Sequence, residues 1–195
     1  MTTPKLILGS SSPFRKMLLE RLMVPFETAN PDIDESSHDG ETPIKLVERL
    51  AIEKAQAVAT QYPKSLIIGS DQVALHGEEV VGKPHTHERA VEQLRSASGK
   101  KITLYTGLAL INSESGNIQS EVIPFTAHFK VLSKGVIESY LRKEEPYNCA
   151  GSVKSEGLGI ALMKRFDGDD PNALIGLPLI RLVAMLENEN YPLFD

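Results

Sequence analysis

Several features that would commit a chain to common roles are scarce here. The 195 residues include a single cysteine, Cys149, and no tryptophan. One thiol cannot close an intramolecular disulfide, fits a reducing compartment, and stands without a zinc-type cluster, so Cys149 reads as a buried structural residue. No apolar run approaches the roughly 20 residues of a membrane helix; the nearest, 173–186, is interrupted by Gly176, Pro178 and Arg181. The start has neither a cationic leader nor a cleavable apolar segment, which argues against secretion and makes a cytoplasmic location the expectation. Base is outnumbered by acid, 21 Lys and Arg against 26 Asp and Glu, and the net charge of −5 argues against broad nucleic-acid coating. The five histidines have no His-x3-His spacing, and neither a Gly-x-Ser-x-Gly elbow nor a Walker A loop occurs.

What is present is an ordinary globular composition, 41% apolar and 24% charged, without repeats, low-complexity tracts or long linkers. One domain over 1–195 is expected, with length enough for a sizeable core. Residues 5–9 read as a strand and 13–23 as a helix with Phe14, Met17, Leu18 and Leu22 on one face. Thr42-Pro43 caps a helix running to about Gln61, with Ile44, Val47, Ala51, Ala55 and Val58 facing inward. Residues 65–75 begin as a buried strand, and Thr86 caps a helix to about Ala97. The extended runs 101–111 and 118–131 flank a turn-rich segment and predict an antiparallel hairpin, with Pro124 implying an edge or bulge in its second arm. Helices from Ser133 to about Lys143 and from Pro178 to about Glu187 complete an α/β chain with a mixed sheet.

The candidate chemistry gathers at strand ends and helix starts. Lys5-Leu6-Ile7-Leu8-Gly9 breaks into Ser10-Ser11-Ser12-Pro13-Phe14-Arg15-Lys16. Free N–H groups, hydroxyls and cations meet there at a helix N-terminus, which is either a phosphate cradle or an ordinary cap with a solvated face. Asp32, Asp34 and Glu35 form an acidic segment, either a solvated loop or a source of magnesium ligands. Asp71, in Gly69-Ser70-Asp71-Gln72, interrupts a buried strand; it either caps a turn or serves a site that pairs its charge. Lys83, between Gly82 and Pro84, and Lys54 each read alone as surface lysines. Together they supply local positive potential in an acidic chain.

In order and spacing, the Ser-x-Ser-Pro-x-Arg start, Asp-Ile-Asp-Glu, Gly-Ser-Asp-Gln, Gly-Lys-Pro and the late Gly-Leu-Pro resemble the Maf family of nucleotide pyrophosphatases across almost the whole chain. The resemblance implies an elongated mixed sheet flanked by helices, in two lobes with an active-site cleft, similar to inosine triphosphate pyrophosphatases. It implies hydrolysis between the α- and β-phosphates of a nucleoside triphosphate with a divalent cation, Mg2+ or Mn2+. It implies Asp71 as proton acceptor, directly or by way of the cation. Ser10, Arg15, Lys54 and Lys83 match phosphate-binding positions and Glu35 a metal ligand.

Within the family the chain is most similar to the YceF-like subgroup, which acts on 7-methyl-GTP. Many relatives carry Arg, Thr and Gln where this chain has Phe14, Gln72 and Glu156, and those relatives favour dTTP and UTP. N7-methylguanine is cationic, so an Arg would repel it, whereas an aromatic ring adds a cation–π attraction of about 0.5–2 kcal/mol. Glu156 could accept from the guanine edge, and Gln72 could donate and accept. Phe14 departs from the tryptophan expected in this subgroup. The expected role is keeping modified nucleotides out of nucleic acid. Broader activity on dTTP, UTP or GTP, and a nucleotide-binding septum inhibitor without turnover, are the alternatives. No nucleic-acid or membrane partner is expected, and a homodimer is compatible with the Leu- and Val-bearing helices.

Overall fold

The computed structural model describes residues 3–194. The strands are β1 (Lys5–Gly9), β2 (Glu27–Ala29), β3 (Ser65–His76), β4 (Glu79–Val80), β5 (Lys101–Asn112), β6 (Ile118–Phe129) and β7 (Met163–Asp167). The helices are α1 (Pro13–Glu20), α2 (Pro43–Ala59), α3 (His87–Ala97), α4 (Lys134–Glu144) and α5 (Leu179–Asn188). The sheet runs β2-β1-β3-β5-β6-β7, with β4 paired to β3. It is mixed: β1 is parallel to β2 and β3, while β3–β4 and β6–β7 are antiparallel.

The chain divides into two compact units. The first holds the residues up to Gln72, Thr106–Ile123, and those from Asp170 onward. Its sheet begins with Leu6, Ile7 and Leu8 beside Leu66, Ile67 and Ile68, all essentially without exposure. Helix α2 starts because Thr42 accepts from the Lys45 N–H and Pro43 tolerates the first turn. It then lies almost on the sheet backbone. A Cβ on Gly69 would come within 2.0 Å of the Ala51 carbonyl oxygen, and one on Gly107 within 2.1 Å of that of Val47. Ala51, Ala55 and Val58 are small enough to fill the remaining space against Ile7, Ile67, Ala109 and Ile111.

The second unit holds Val73–Tyr105 and Pro124–Asp169. Here α3 packs against α4 and the turn Ala150–Ser152. The Ser152 hydroxyl meets the Gln93 amide oxygen. Pro124 sits before the β6–β7 register begins at Thr126, so it spoils no bond of that ladder, and a bulge lies between His128 and Phe129.

Several details differ from the sequence expectations. Helix α1 ends at Glu20, and Leu19 rather than Met17 joins Leu18 in its buried face; Met17 is 42% exposed. Ile44 is also exposed, being in the first turn of α2 before the helix meets the sheet. Cys149 is half-buried rather than buried, since it precedes the tight turn Ala150–Ser152 instead of lying inside an element.

Candidate active site

In the first unit, β1 ends at Gly9 opposite Gly69 of β3. The chain then turns through Ser10 and Ser12 into α1, while β3 continues through Ser70, Asp71 and Gln72. Polar side chains therefore collect past the carboxyl end of β1, where open α/β sheets place ligands.

Ser12 caps α1 by accepting from the Arg15 N–H, and the Ser10 hydroxyl oxygen accepts from the Ser12 N–H at 3.2 Å. That oxygen also meets Arg15 Nη1 at 3.4 Å. The Arg15 Nε–H donates to the Gly176 carbonyl at 2.9 Å, and the fully buried Ser70 hydroxyl donates to the same oxygen at 2.9 Å. Gly176 holds φ +114°, a backbone conformation that strains L side chains. Burial draws the Arg15 pKa down, and the charges of Asp71 and Glu35 pull it back up. Its hydrogen bonds go to neutral oxygens, which leaves part of its donor fork unused.

The centre is Lys54. It occupies the inward stripe of α2 with Val47, Ala51, Ala55 and Val58 and is only 5% exposed. Its Nζ lies 2.8 Å from Asp71 Oδ1 and 2.8 Å from Glu35 Oε1. A buried ammonium is tolerated when carboxylates replace its lost water, and Asp71 and Glu35 do so. Read alone from the sequence, Lys54 is a surface lysine; its place in the stripe makes it interior. Asp71 is mostly buried at 16% exposure, whereas Glu35 is 60% exposed on the loop before α2.

Gln72 is anchored rather than free. Its Nε2 donates to Thr106 Oγ1 at 2.8 Å and to the Ala173 carbonyl at 2.6 Å. A carbonyl can only accept, so the nitrogen must face Ala173, and both amide hydrogens are spent. Only Oε1 remains, so Gln72 can accept but no longer donate to a base.

The structure thus brings together Ser10, Arg15, Glu35, Lys54 and Asp71, with Gln72 beside Asp71 in β3. Phe14 is half-buried in the first turn of α1. Lys83 and Glu156 belong to the second unit, and both are exposed. Around Glu156 the loop is held by Glu144, whose carboxylate accepts from the Leu158 N–H at 2.6 Å and pairs with Lys154 at 3.0 Å. The Leu158 N–H, then Lys154, keep the Glu144 carboxyl below its usual range.

Sequence reasoning missed Ser70, Thr106, Gly176 and Asp170. Thr106 lies inside a strand with no pattern to mark it, whereas Ser70 and Gly176 stand in the Gly-Ser-Asp-Gln and Gly-Leu-Pro motifs, where a buried hydroxyl and a carbonyl carry roles that the residue types do not reveal. Asp170 had a visible signal, standing before Pro171. It accepts from the N–H groups of Asn172 at 3.1 Å and Ile180 at 2.7 Å, anchoring the Gly176 segment to the start of α5.

The fold is one already known among solved structures. The structure of the Staphylococcus aureus Ham1 protein superimposes with a TM-score of 0.54 at 15% identity, covering 95% of this chain and 99% of that one. The chain itself belongs to the Maf family, matching the Maf-like protein description over residues 5–189. A 7-methyl-GTP pyrophosphatase of Colwellia psychrerythraea is 58% identical over 182 residues, covering 93% of this chain and 91% of that protein. A 7-methyl-GTP pyrophosphatase of Pseudomonas syringae pv. tomato is 57% identical over 186 residues, covering 95% and 97%.

Proposed function

We propose that this protein is a nucleoside triphosphate pyrophosphatase that converts 7-methyl-GTP to 7-methyl-GMP and diphosphate. The observation that carries the reading is the buried Lys54 ammonium, held between Asp71 and Glu35 in the same unit as Arg15. Near full-length similarity to two proteins named for this reaction supports the substrate.

Asp71 takes the proton of the attacking water, whose oxygen bonds to the α-phosphorus. The bond from that phosphorus to the bridging oxygen breaks, and diphosphate leaves with the electron pair. Arg15, Lys54 and Ser10 offset the charge that develops there. Lys83 keeps the phosphate-binding assignment that its Gly-Lys-Pro setting implies, and Phe14, Gln72 and Glu156 the assignment to base selection.

The donor set suits a hard divalent cation. Among the described residues no three His, Cys, Asp or Glu gather for a metal. Asp71 and Glu35, however, converge on one Nζ, and magnesium is commonly bound by one or two carboxylates plus substrate phosphate oxygens. Glu35 and Asp71 would hold it, and it would supply charge stabilisation at the phosphates. Among the described residues no helix is long and apolar enough to cross a membrane. The proposed enzyme is cytoplasmic and acts on free nucleotides.

The test is diphosphate release from a panel of methylated and standard triphosphates, with and without Mg2+ or Mn2+. 7-Methyl-GTP should lead the panel. Asp71→Asn should abolish turnover while nucleotide binding persists, and near wild-type turnover in that variant would remove Asp71 from the mechanism.

A further inference from the structure

Glu35 meets Lys54 from a segment with no regular secondary structure, residues 30–42 between β2 and α2. Residues 34–40 are all exposed, so little packing holds Glu35 in place. What holds this loop is one guanidinium. Arg49, one turn before Glu53 on α2, donates through Nε to Glu41 Oε1 at 2.7 Å and through Nη2 to Glu41 Oε2 at 2.8 Å. Its Nη2 also donates to the Ser36 carbonyl at 2.9 Å, and its Nη1 to Glu53 Oε2 at 2.9 Å. Glu41 in turn accepts from the His38 N–H at 3.0 Å, and Asp34 accepts from the Ser36 N–H at 2.9 Å.

These contacts fix the loop on both sides. The Ser36 carbonyl is adjacent to Glu35, and Glu41 ends the segment just before the Thr42 cap. Both attach to the helix that also carries Lys54. The Arg49 side chain is 18% exposed and that of Glu41 is 9%, so this fork-on-fork pair is better sheltered than the surface pairs that contribute little. The guanidinium of Arg49 holds the Glu41 carboxyl down to about 2, so the pair stays ionised at neutral pH.

We propose that Arg49 is a positioning residue for the hydrolytic site: it clamps the loop at Ser36 and Glu41 and thereby delivers Glu35 to Lys54. This rests on the assignment of Glu35 and Lys54 to the pyrophosphatase site. Misplacing a catalytic group by about 1 Å can cost on the order of 100-fold, and losing an outer-shell partner about 10–100-fold. A lysine in place of Arg49 would keep the charge without the planar fork, so the conservative exchange should restore only part of the function.

The experiment is a double-mutant cycle on diphosphate release from 7-methyl-GTP in the full chain. It uses Arg49→Gln, Arg49→Lys, Glu35→Gln and Arg49→Gln with Glu35→Gln. Amide hydrogen exchange over residues 34–41 is followed in each. Arg49→Gln should lower kcat about 10–100-fold and speed exchange in the loop, with Arg49→Lys intermediate. Added to Glu35→Gln, it should cost no more than a further twofold. A full multiplicative loss in the double variant would overturn the proposal and leave the site assignment standing. Unchanged turnover in Glu35→Gln would overturn the role of Glu35 and the proposal with it. If Arg49→Gln does not fold, Glu41→Gln breaks the same clamp from the other side and is held to the same outcomes.

Discussion

Lys54 shows how a single residue can oppose packing and still persist. Its stripe on α2 is otherwise built from Val47, Ala51, Ala55 and Val58, and a methionine there would satisfy the same surroundings. Glu35 is largely exposed and could turn to water if the ammonium were removed, but Asp71 is mostly buried and would lose its counter-charge. Lys54→Met should therefore destabilise the fold by about 3–5 kcal/mol, the scale of removing one partner of a buried ion pair. Diphosphate release per folded molecule should also fall by at least about 100-fold, the scale of losing one preorganised stabiliser of developing charge. Thermal melts beside turnover assays would separate the two effects. A large loss of thermal stability, with turnover reduced only in proportion to folded protein, would make Lys54 a structural residue. The motifs that announce Ser10, Arg15, Glu35 and Asp71 are legible as sequence because each breaks a pattern. Lys54 is named by the family resemblance, and its burial follows from counting seven residues on from Val47. Ser70 and Gly176 stand inside recognised motifs, but their roles are not legible there, since the useful group is a buried hydroxyl in one case and a backbone oxygen in the other.

At the scale of elements, the site depends on how closely α2 lies on β3. Gly69 stands two residues before Asp71, and the Ala51 carbonyl occupies the space a side chain would need. Gly69→Ala must push the helix outward, because the obstacle is backbone and cannot rotate away. The cost should be at least about 1–3 kcal/mol, as for overpacked cores. Lys54, on the same helix, would recede from Asp71, so turnover in the fraction that folds should also drop. Denaturant melts corrected for folded fraction would reveal this, and full specific activity would separate the helix position from catalysis. The long elements were readable in advance because their apolar residues are continuous or periodic, as in Leu66-Ile67-Ile68 and the α2 stripe. β2, β4 and β7 were not readable. Their residues are mainly exposed, so no alternation marks them, and pairing with longer strands defines them instead.

Across the whole molecule, the carboxylates set one edge of the pH range and the buried phenols the other. Glu41 is held to about 2 by Arg49 and the His38 N–H, from an ordinary 4.5. Asp34, through the Ser36 hydroxyl, Asp167, through His128, and Glu144, through the Leu158 N–H, are also lowered. A carboxyl depressed in the folded state contributes stability above its unfolded value and loses it as pH falls toward the folded one. The acid limb should therefore begin near the ordinary carboxylate value of about 4–4.5 and continue toward about 2. Tyr140 moves the opposite way: burial raises it from 10.0 to about 12, although its oxygen accepts from the Lys154 N–H at 3.0 Å. Burial likewise raises Tyr191 and Cys149. A group raised in the folded state contributes fully below its unfolded pKa and is lost as pH climbs through the folded one, here between 10 and about 12 for Tyr140. Thermal midpoints should thus form a plateau from about pH 5 to about 9, with the acid decline below it and the alkaline decline above it, from Cys149 first and from the tyrosines beyond 10. Glu41→Gln should flatten the acid limb and leave the alkaline one unchanged, because glutamine has no proton to gain. Tyr140→Phe should do the reverse, since phenylalanine has none to lose. Equal changes on both limbs in either variant would mean that these side chains act on stability through packing rather than through their protons.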